Sequence, residues 1–161
     1  MTADLSSPLR FEGLARLDDQ EIEQAAAIME SIWPDYVDLF RREMAVYRDH
    51  QDLFEPFFGV AKKEEAVVGF SLLMASMMST TLLVITWVAV RPDHHSHGIG
   101  RQLIDLCLAE AKRRGKAVVL TTTMPEFYTK IGFKLLDHYP SDEPSRFPGP
   151  EEGKSFLLIR A

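Results

Sequence analysis

The chain reads as an α/β protein, a mixed sheet with helices on both sides, in the order β-α-α-β-β-β-α-β-α-β-β. Three observations predict this. Residues 81–91, 98–114 and 116–122 form an apolar strand, an amphipathic helix and a second apolar strand, a unit whose length implies a parallel pair joined right-handedly. Residues 57–62, 66–78 and 81–91 are three strand-like runs in succession, the first two separated only by Lys63-Glu64-Glu65, which is a hairpin spacing. Before them stand two stripes of apolar residues at helical spacing.

Taken in order, residues 11–17 read as the first strand. Asp18 and Asp19 can cap a helix over residues 20–32, which carries Ile22, Ala26 and Met29 on one stripe. Pro34 interrupts it, and a second helix starts near Asp35 with Tyr36, Phe40, Met44 and Tyr47 toward the core. In the hairpin, Met74, Met77 and Met78 suit either adaptable core filling or a pocket wall. The long helix places Ile99, Leu103, Leu106, Cys107 and Ala111 on one side and Arg101, Gln102, Asp105, Glu110 and Lys112 on the other. It stops at Lys112-Arg113-Arg114-Gly115, where cations complement the helix dipole and glycine permits a left-handed cap. Residues 125–131 form a short helix with proline in its first turn, and 133–139 and 154–160 are strands. Between those strands, residues 140–153 contain Pro140, Pro144, Pro148 and Pro150, a segment long enough to serve as a lid.

At 161 residues the chain fits one domain, 1–161, with a core large enough to need no metal or disulfide. Cys107 is its only cysteine and lies among leucines on a helix, which reads as packing. A net charge of −6 argues against nucleic acid as a partner, because that needs a basic face to replace counterions. No apolar run is long enough to span a membrane, and residues 1–10 lack a secretory signal pattern, so a cytoplasmic protein is expected.

The chemistry concentrates in the turn His95-Ser96-His97-Gly98-Ile99-Gly100 between a strand and a helix. Such a turn presents unpaired N–H groups at the positive end of the helix dipole, and glycines let an anion approach without a Cβ in the way. His94, His95 and His97 also invite a metal reading. No Cys and no carboxylate beyond Asp93 joins them at suitable spacing, so flanking a phosphate is the better use and no metal is expected. Farther on stands Tyr128-Thr129-Lys130-Ile131-Gly132-Phe133.

These two segments resemble the GNAT superfamily of acyl-CoA-dependent N-acetyltransferases. That family's turn reads Arg/Gln-x-x-Gly-x-Gly/Ala and its later junction Tyr-x-x-x-Gly-Phe, and here His95 stands where the family has Arg or Gln. The order of elements extends the resemblance to nearly all of the chain. It implies a GNAT-like fold whose fourth and fifth strands splay apart to hold the pantetheine arm of acetyl-CoA, the acyl-donor substrate. The donor would contact Val88, Ala89 and Val90 on the fourth strand, His95, Ser96, His97, Gly98, Ile99, Gly100 and Arg101 at the turn, and Phe127 and Tyr128 beyond. Tyr128 matches the family's acid toward the CoA sulfur. Thr121-Thr122-Thr123 replaces an asparagine that many members carry after the fifth strand.

The resemblance implies acetyl transfer to the primary amine of a small molecule in a ternary complex, with no nucleic acid or membrane partner, and leaves a homodimer open. The fourth strand contains no carboxylate, a common family location for the base. Glu126, Glu43, Asp35, His94 and a water chain are the candidates. The helices after the first strand border the acceptor site in the family. Asp35, Asp38 and Glu43 would then join Asp142, Glu143, Glu151 and Glu152 in an acidic cleft. Two other readings stand beside this one, acetylation of a peptide or protein amine (an N-terminus or lysine) and a noncatalytic acyl-CoA sensor. A dinucleotide-binding domain is disfavoured, because the turn lacks a third glycine and no P-loop lysine follows.

Overall fold

The computed structural model describes residues 7–77, 79–138 and 155–159, so the proline-rich segment at 140–153 with its four acidic residues, and Met78, lie outside the described residues. The chain opens with β1 (Leu9–Leu14), earlier than the expected 11–17. Its bounds follow its partner, since pairing with β2 (Phe57–Lys63) begins at Leu9 opposite Lys63 and ends at Leu14 opposite Phe58.

Helix α1 (Asp19–Ile32) starts in a capping box. Glu21 N–H donates to Asp18 Oδ1 at 2.7 Å, and Asp18 N–H donates to Glu21 Oε2 at 2.8 Å. Pro34–Tyr36 is one 3₁₀ turn, and α2 (Val37–Asp49) buries Phe40, Met44 and Tyr47 as its spacing predicts. A further single turn, α3 (Gln51–Phe54), has no periodicity long enough to show in sequence and is held by Phe54 against Tyr47, ring centres 5.1 Å apart.

The remaining elements are β3 (Ala66–Ala75), β4 (Leu82–Val90), α4 (Ile99–Arg114), β5 (Ala117–Thr122), α5 (Pro125–Thr129), β6 (Lys134–His138) and β7 (Ser155–Ile159). The seven strands form one mixed sheet in the order β1-β2-β3-β4-β5-β7-β6, parallel only between β4 and β5. On one face α1 and α2 cover Phe70, Leu72 and Ala89, with Met29, Phe40 and Met44 filling the space. On the other, α4 packs Ile104, Cys107 and Ala111 against Leu73, Leu83, Ile85 and Val118. Met74 belongs to the core, whereas Met77 is exposed. Cys107 is fully buried, its sulfur 3.2 Å from Ser71 Oγ, and burial pushes its thiol up to about 12, so it is inert packing.

The β4–β5 pairing is short. Leu82, Leu83 and Val84 pair with Ala117, Val118 and Val119, and beyond them β4 continues only with β3 while β5 continues only with β7. The divergence has a local cause. Leu72 pairs with Trp87 but Leu73 pairs with Ile85, so Thr86 is an extra residue on β4, a bulge that bends and twists the strand where pairing with β5 ends. The expected splay of the two central strands is present.

Away from this opening, Lys62 joins β1, β2 and α1, with its Nζ 2.7 Å from both Glu12 Oε1 and Glu21 Oε1 and its side chain only 10% exposed. Lys62→Ala leaves two carboxylates without their shared cation and is expected to cost about 3 kcal/mol in urea unfolding at neutral pH. An unchanged midpoint would show that solvent already screens the cluster.

Candidate active site

Beyond Val84 the edge of β4 that faced β5 is free. Arg91 N–H donates to Val68 O on β3 at 2.8 Å, so by the alternation of an antiparallel pair Ala89 and Trp87 also direct their backbone groups to β3. Val88 and Val90 direct theirs into the opening. Their side chains lie on the α4 face, Val88 beside the cluster that includes Tyr128 and Val90 beside Ile99 and Leu103.

At the end of β4, Pro92–His94 forms a 3₁₀ turn and the chain curls through Ser96 at φ 66° and Gly98 at φ 72°, both left-handed, into α4. Gly98 has no side chain with which to cap the helix, and no acidic residue occupies the first turn. The first intrahelical bond is Gln102 N–H to Gly98 O at 3.2 Å, leaving the N–H groups of Ile99, Gly100 and Arg101 without an i−4 partner. A Cβ built at Gly98 meets nothing within 4 Å, so the cradle is open. Its donors and its dipole suit a phosphate.

The histidines of this loop are engaged with the loop itself. His94 Nδ1 donates to Asp93 Oδ1 at 2.8 Å, and Arg91 grips the same carboxylate at 2.7 Å. The Arg91 guanidinium and then His94 hold Asp93 well below the usual carboxylate range. His97 Nδ1 donates to His94 O at 3.2 Å. His95 Nε2 donates to Val90 O at 2.8 Å, turning back to one of the two free carbonyls of the β4 edge. Arg101, on the exposed side of α4, pairs with Asp105 at 3.1 Å, and Ile99 is buried.

Tyr128 stands on α5, which follows β5. Its ring meets Phe127 at 5.0 Å and Phe133 at 5.5 Å, both edge-on, within the apolar cluster shared with Val88. Burial, then the nearby Cys107 thiol, push the phenol up to about 12, and its hydroxyl makes no hydrogen bond to the described residues. The phenol therefore carries its proton throughout the neutral range and has it to offer.

On the opposite face, Glu43 of α2 is half-buried and its Oε2 accepts from Trp87 Nε1 at 2.7 Å. Trp87 lies 6.1 Å from Trp33 and 6.4 Å from Phe40. Burial raises the Glu43 carboxyl, against the lowering effect of the Trp87 bond. Of the other candidate bases, Asp35 and Glu126 are exposed and His94 is tied to Asp93. Asp38 is exposed as well, so within the described residues the expected acidic cleft consists of two surface carboxylates and one inward one. The Glu43–Trp87 bond went unread in sequence, although a signal existed: a carboxylate stood within the buried stripe of Phe40, Met44 and Tyr47.

Residues 55–135 match the model of the acetyltransferase (GNAT) domain. No curated protein matches the chain in sequence. Among solved structures, one from Desulfovibrio desulfuricans assigned to the GNAT acetyltransferases is 15% identical, with 95% of this chain and 99% of that one covered and a TM-score of 0.80. An aminoglycoside 6'-N-acetyltransferase from Enterococcus faecium is 16% identical over 94% of this chain and 96% of that one, with a TM-score of 0.74. A Salmonella typhimurium protein assigned as an acetyltransferase, solved with acetyl-CoA, is 18% identical over 94% and 93%, with a TM-score of 0.72. At such identities the likeness shows the fold, and the family comes from the domain match, supported by the splayed strands and the uncapped glycine turn. The chain belongs to the GNAT acetyltransferases.

Proposed function

We propose that this protein is a cytoplasmic N-acetyltransferase that passes the acetyl group of acetyl-CoA to the primary amine of a small molecule, by direct attack of the amine in a ternary complex. The observation that carries this reading is the opening between β4 and β5 beyond Val84, which ends at the uncapped turn. The pyrophosphate would lie on the N–H groups from His97 to Arg101, beside Ser96. The pantetheine arm would run along β4, pairing with the outward groups of Val88 and Val90 on either side of Ala89. Pairing with the Val90 carbonyl would use the second lone pair of an oxygen that already accepts from His95. The thioester would then reach Phe127 and Tyr128, with Tyr128 as the acid toward the departing sulfur. A small amine is favoured by the fold likeness to an aminoglycoside acetyltransferase.

The test is release of free CoA thiol from acetyl-CoA by the purified full-length protein with phenethylamine, putrescine, kanamycin or a lysine-containing peptide. Thiol release with one of the small amines is expected. Turnover with the peptide alone would assign the protein to peptide or protein acetylation. Tight acetyl-CoA binding with no thiol release from any acceptor would make it a sensor.

A further inference from the structure

We propose that Glu43 is the general base of the transfer, held by Trp87 on the α1–α2 face of the β4–β5 opening, where it takes a proton from the acceptor amine. The inference rests on the acetyltransferase reading above and adds the residue that activates the acceptor.

The geometry supports it in three ways. Trp87 and Val88 are adjacent on β4 and point to opposite faces, Trp87 into the cluster under α1 and α2, Val88 into the cluster that holds Tyr128. Glu43, bonded to Trp87, and Tyr128, in the cluster with Val88, therefore lie on opposite faces of β4 where it borders the opening. Second, one carboxylate oxygen is fixed and the other is available. Oε2 accepts from Trp87, while Oε1 accepts from no described residue. No buried side-chain oxygen among the described residues lacks a partner, so Oε1 is not a buried orphan and is the oxygen left to receive a substrate N–H. Third, the walls suit an amine. Trp33 and Trp87, both half-buried, 6.1 Å apart and tilted by 48°, would be the aromatic neighbours of an alkylammonium group before it loses its proton.

The electrostatic surroundings agree. No Lys or Arg pairs with Glu43 among the described residues. Tyr47, one turn along α2, is itself raised by burial and then by the Glu43 charge; from β4 the facing polar group is the neutral indole of Trp87; from the loop after α1 it is Trp33. Burial raises the carboxyl toward the pH at which a base is most effective.

The protons balance. An ammonium substrate gives one proton to Glu43, which passes it to water. The freed nitrogen pair attacks the thioester carbonyl, the C–N bond forms and the C–S bond breaks. The second nitrogen proton is matched by the one the sulfur gains as it leaves, with the Tyr128 hydroxyl donating a hydrogen bond to it, leaving an amide, a thiol and one proton in solution.

The test uses the full chain, acetyl-CoA and whichever of phenethylamine, putrescine or kanamycin gives the fastest wild-type turnover. Glu43→Gln, which keeps the shape and the acceptor for Trp87, is expected to lower kcat/KM by roughly 100- to 10,000-fold and to abolish the acidic limb of the pH profile, with acetyl-CoA affinity unchanged. Trp87→Phe keeps the carboxylate but removes the bond that lowers its pKa, so the acidic limb should move to higher pH and activity should recover in alkali. Stability should move the other way. A carboxyl whose folded pKa is raised loses stability as pH rises through that pKa, so Glu43→Gln should melt no lower than wild type above it. Near wild-type kcat/KM with an unmoved acidic limb in Glu43→Gln overturns the base alone. Absence of thiol release from the wild type overturns the acetyltransferase reading and the base with it.

Discussion

Gly98→Glu is expected to weaken acetyl-CoA binding by on the order of 100-fold while the protein still folds. Gly98 sits at φ 72° and ψ 12°, so a side chain there costs about 1–2 kcal/mol of backbone strain. Ser96 already bears the same left-handed geometry in this loop. Nothing lies within 4 Å of the new Cβ, so no clash adds to that cost. The carboxylate, however, would stand among the free N–H groups of Ile99, Gly100 and Arg101, taking the place of the phosphate as helix cap. At about 5 Å from a phosphate charge and an effective dielectric near 20, the repulsion is about 3 kcal/mol. Gly98→Ala carries the strain without the charge and should lose little affinity. Titration calorimetry of both variants checks this, and a folded Gly98→Glu protein that binds acetyl-CoA as wild type does would remove the turn from the donor site.

What the sequence made legible was local. Helix α4 runs Ile99–Arg114 against an expected 98–114, because its start and stop are written in adjacent residues: glycine in the turn, three cations in the last turn, and Gly115 at φ 67°. Helix α1 is legible for the same reason, through Asp18 and Glu21. The family motifs belong with these, since each lies within a few residues of one junction. The strand order was not legible, because placing β7 between β5 and β6 is decided by pairing across the chain. The splay could be named only from the family resemblance. Residues 81–91 read as one uninterrupted strand, and no glycine or proline near Thr86 announces a bulge; it becomes one only through the register with β3. The placement of Glu43 was half legible. Glu43 stands on the apolar stripe of α2, an anomaly visible in the spacing, but the indole that makes its place tolerable lies 44 residues on, in another element. Likewise His95 could be seen to depart from Arg or Gln, yet its bond to Val90 O depends on how tightly the loop folds back on the strand.

Tyr128→Phe is expected to lower kcat by roughly 10- to 1000-fold with acetyl-CoA affinity nearly unchanged. The ring is held edge-on between Phe127 and Phe133, and the hydroxyl bonds to no described residue, so phenylalanine keeps the packing and strands no partner among the described residues. Only the offered proton is lost. Its value follows from the two acidities involved. The phenol stands at about 12, pushed up first by burial and then by the Cys107 thiol, whereas an ordinary thiol titrates near 8.5. Full transfer from the phenol to a free thiolate would thus run uphill. The hydroxyl therefore contributes mainly as a hydrogen bond that strengthens while charge builds on the sulfur, which places the expected loss below that of a fully matched acid. Two measurements separate this from a packing role. The pH profiles of wild type and Tyr128→Phe should keep the same shape through the neutral range, because the phenol does not titrate there. Acetyl donors with more acidic leaving thiols should narrow the difference between the two proteins, since such a sulfur needs less help to leave. Full kcat in the variant, or a deficit independent of the leaving thiol, would make Tyr128 a packing residue and hand the sulfur's stabilisation to water.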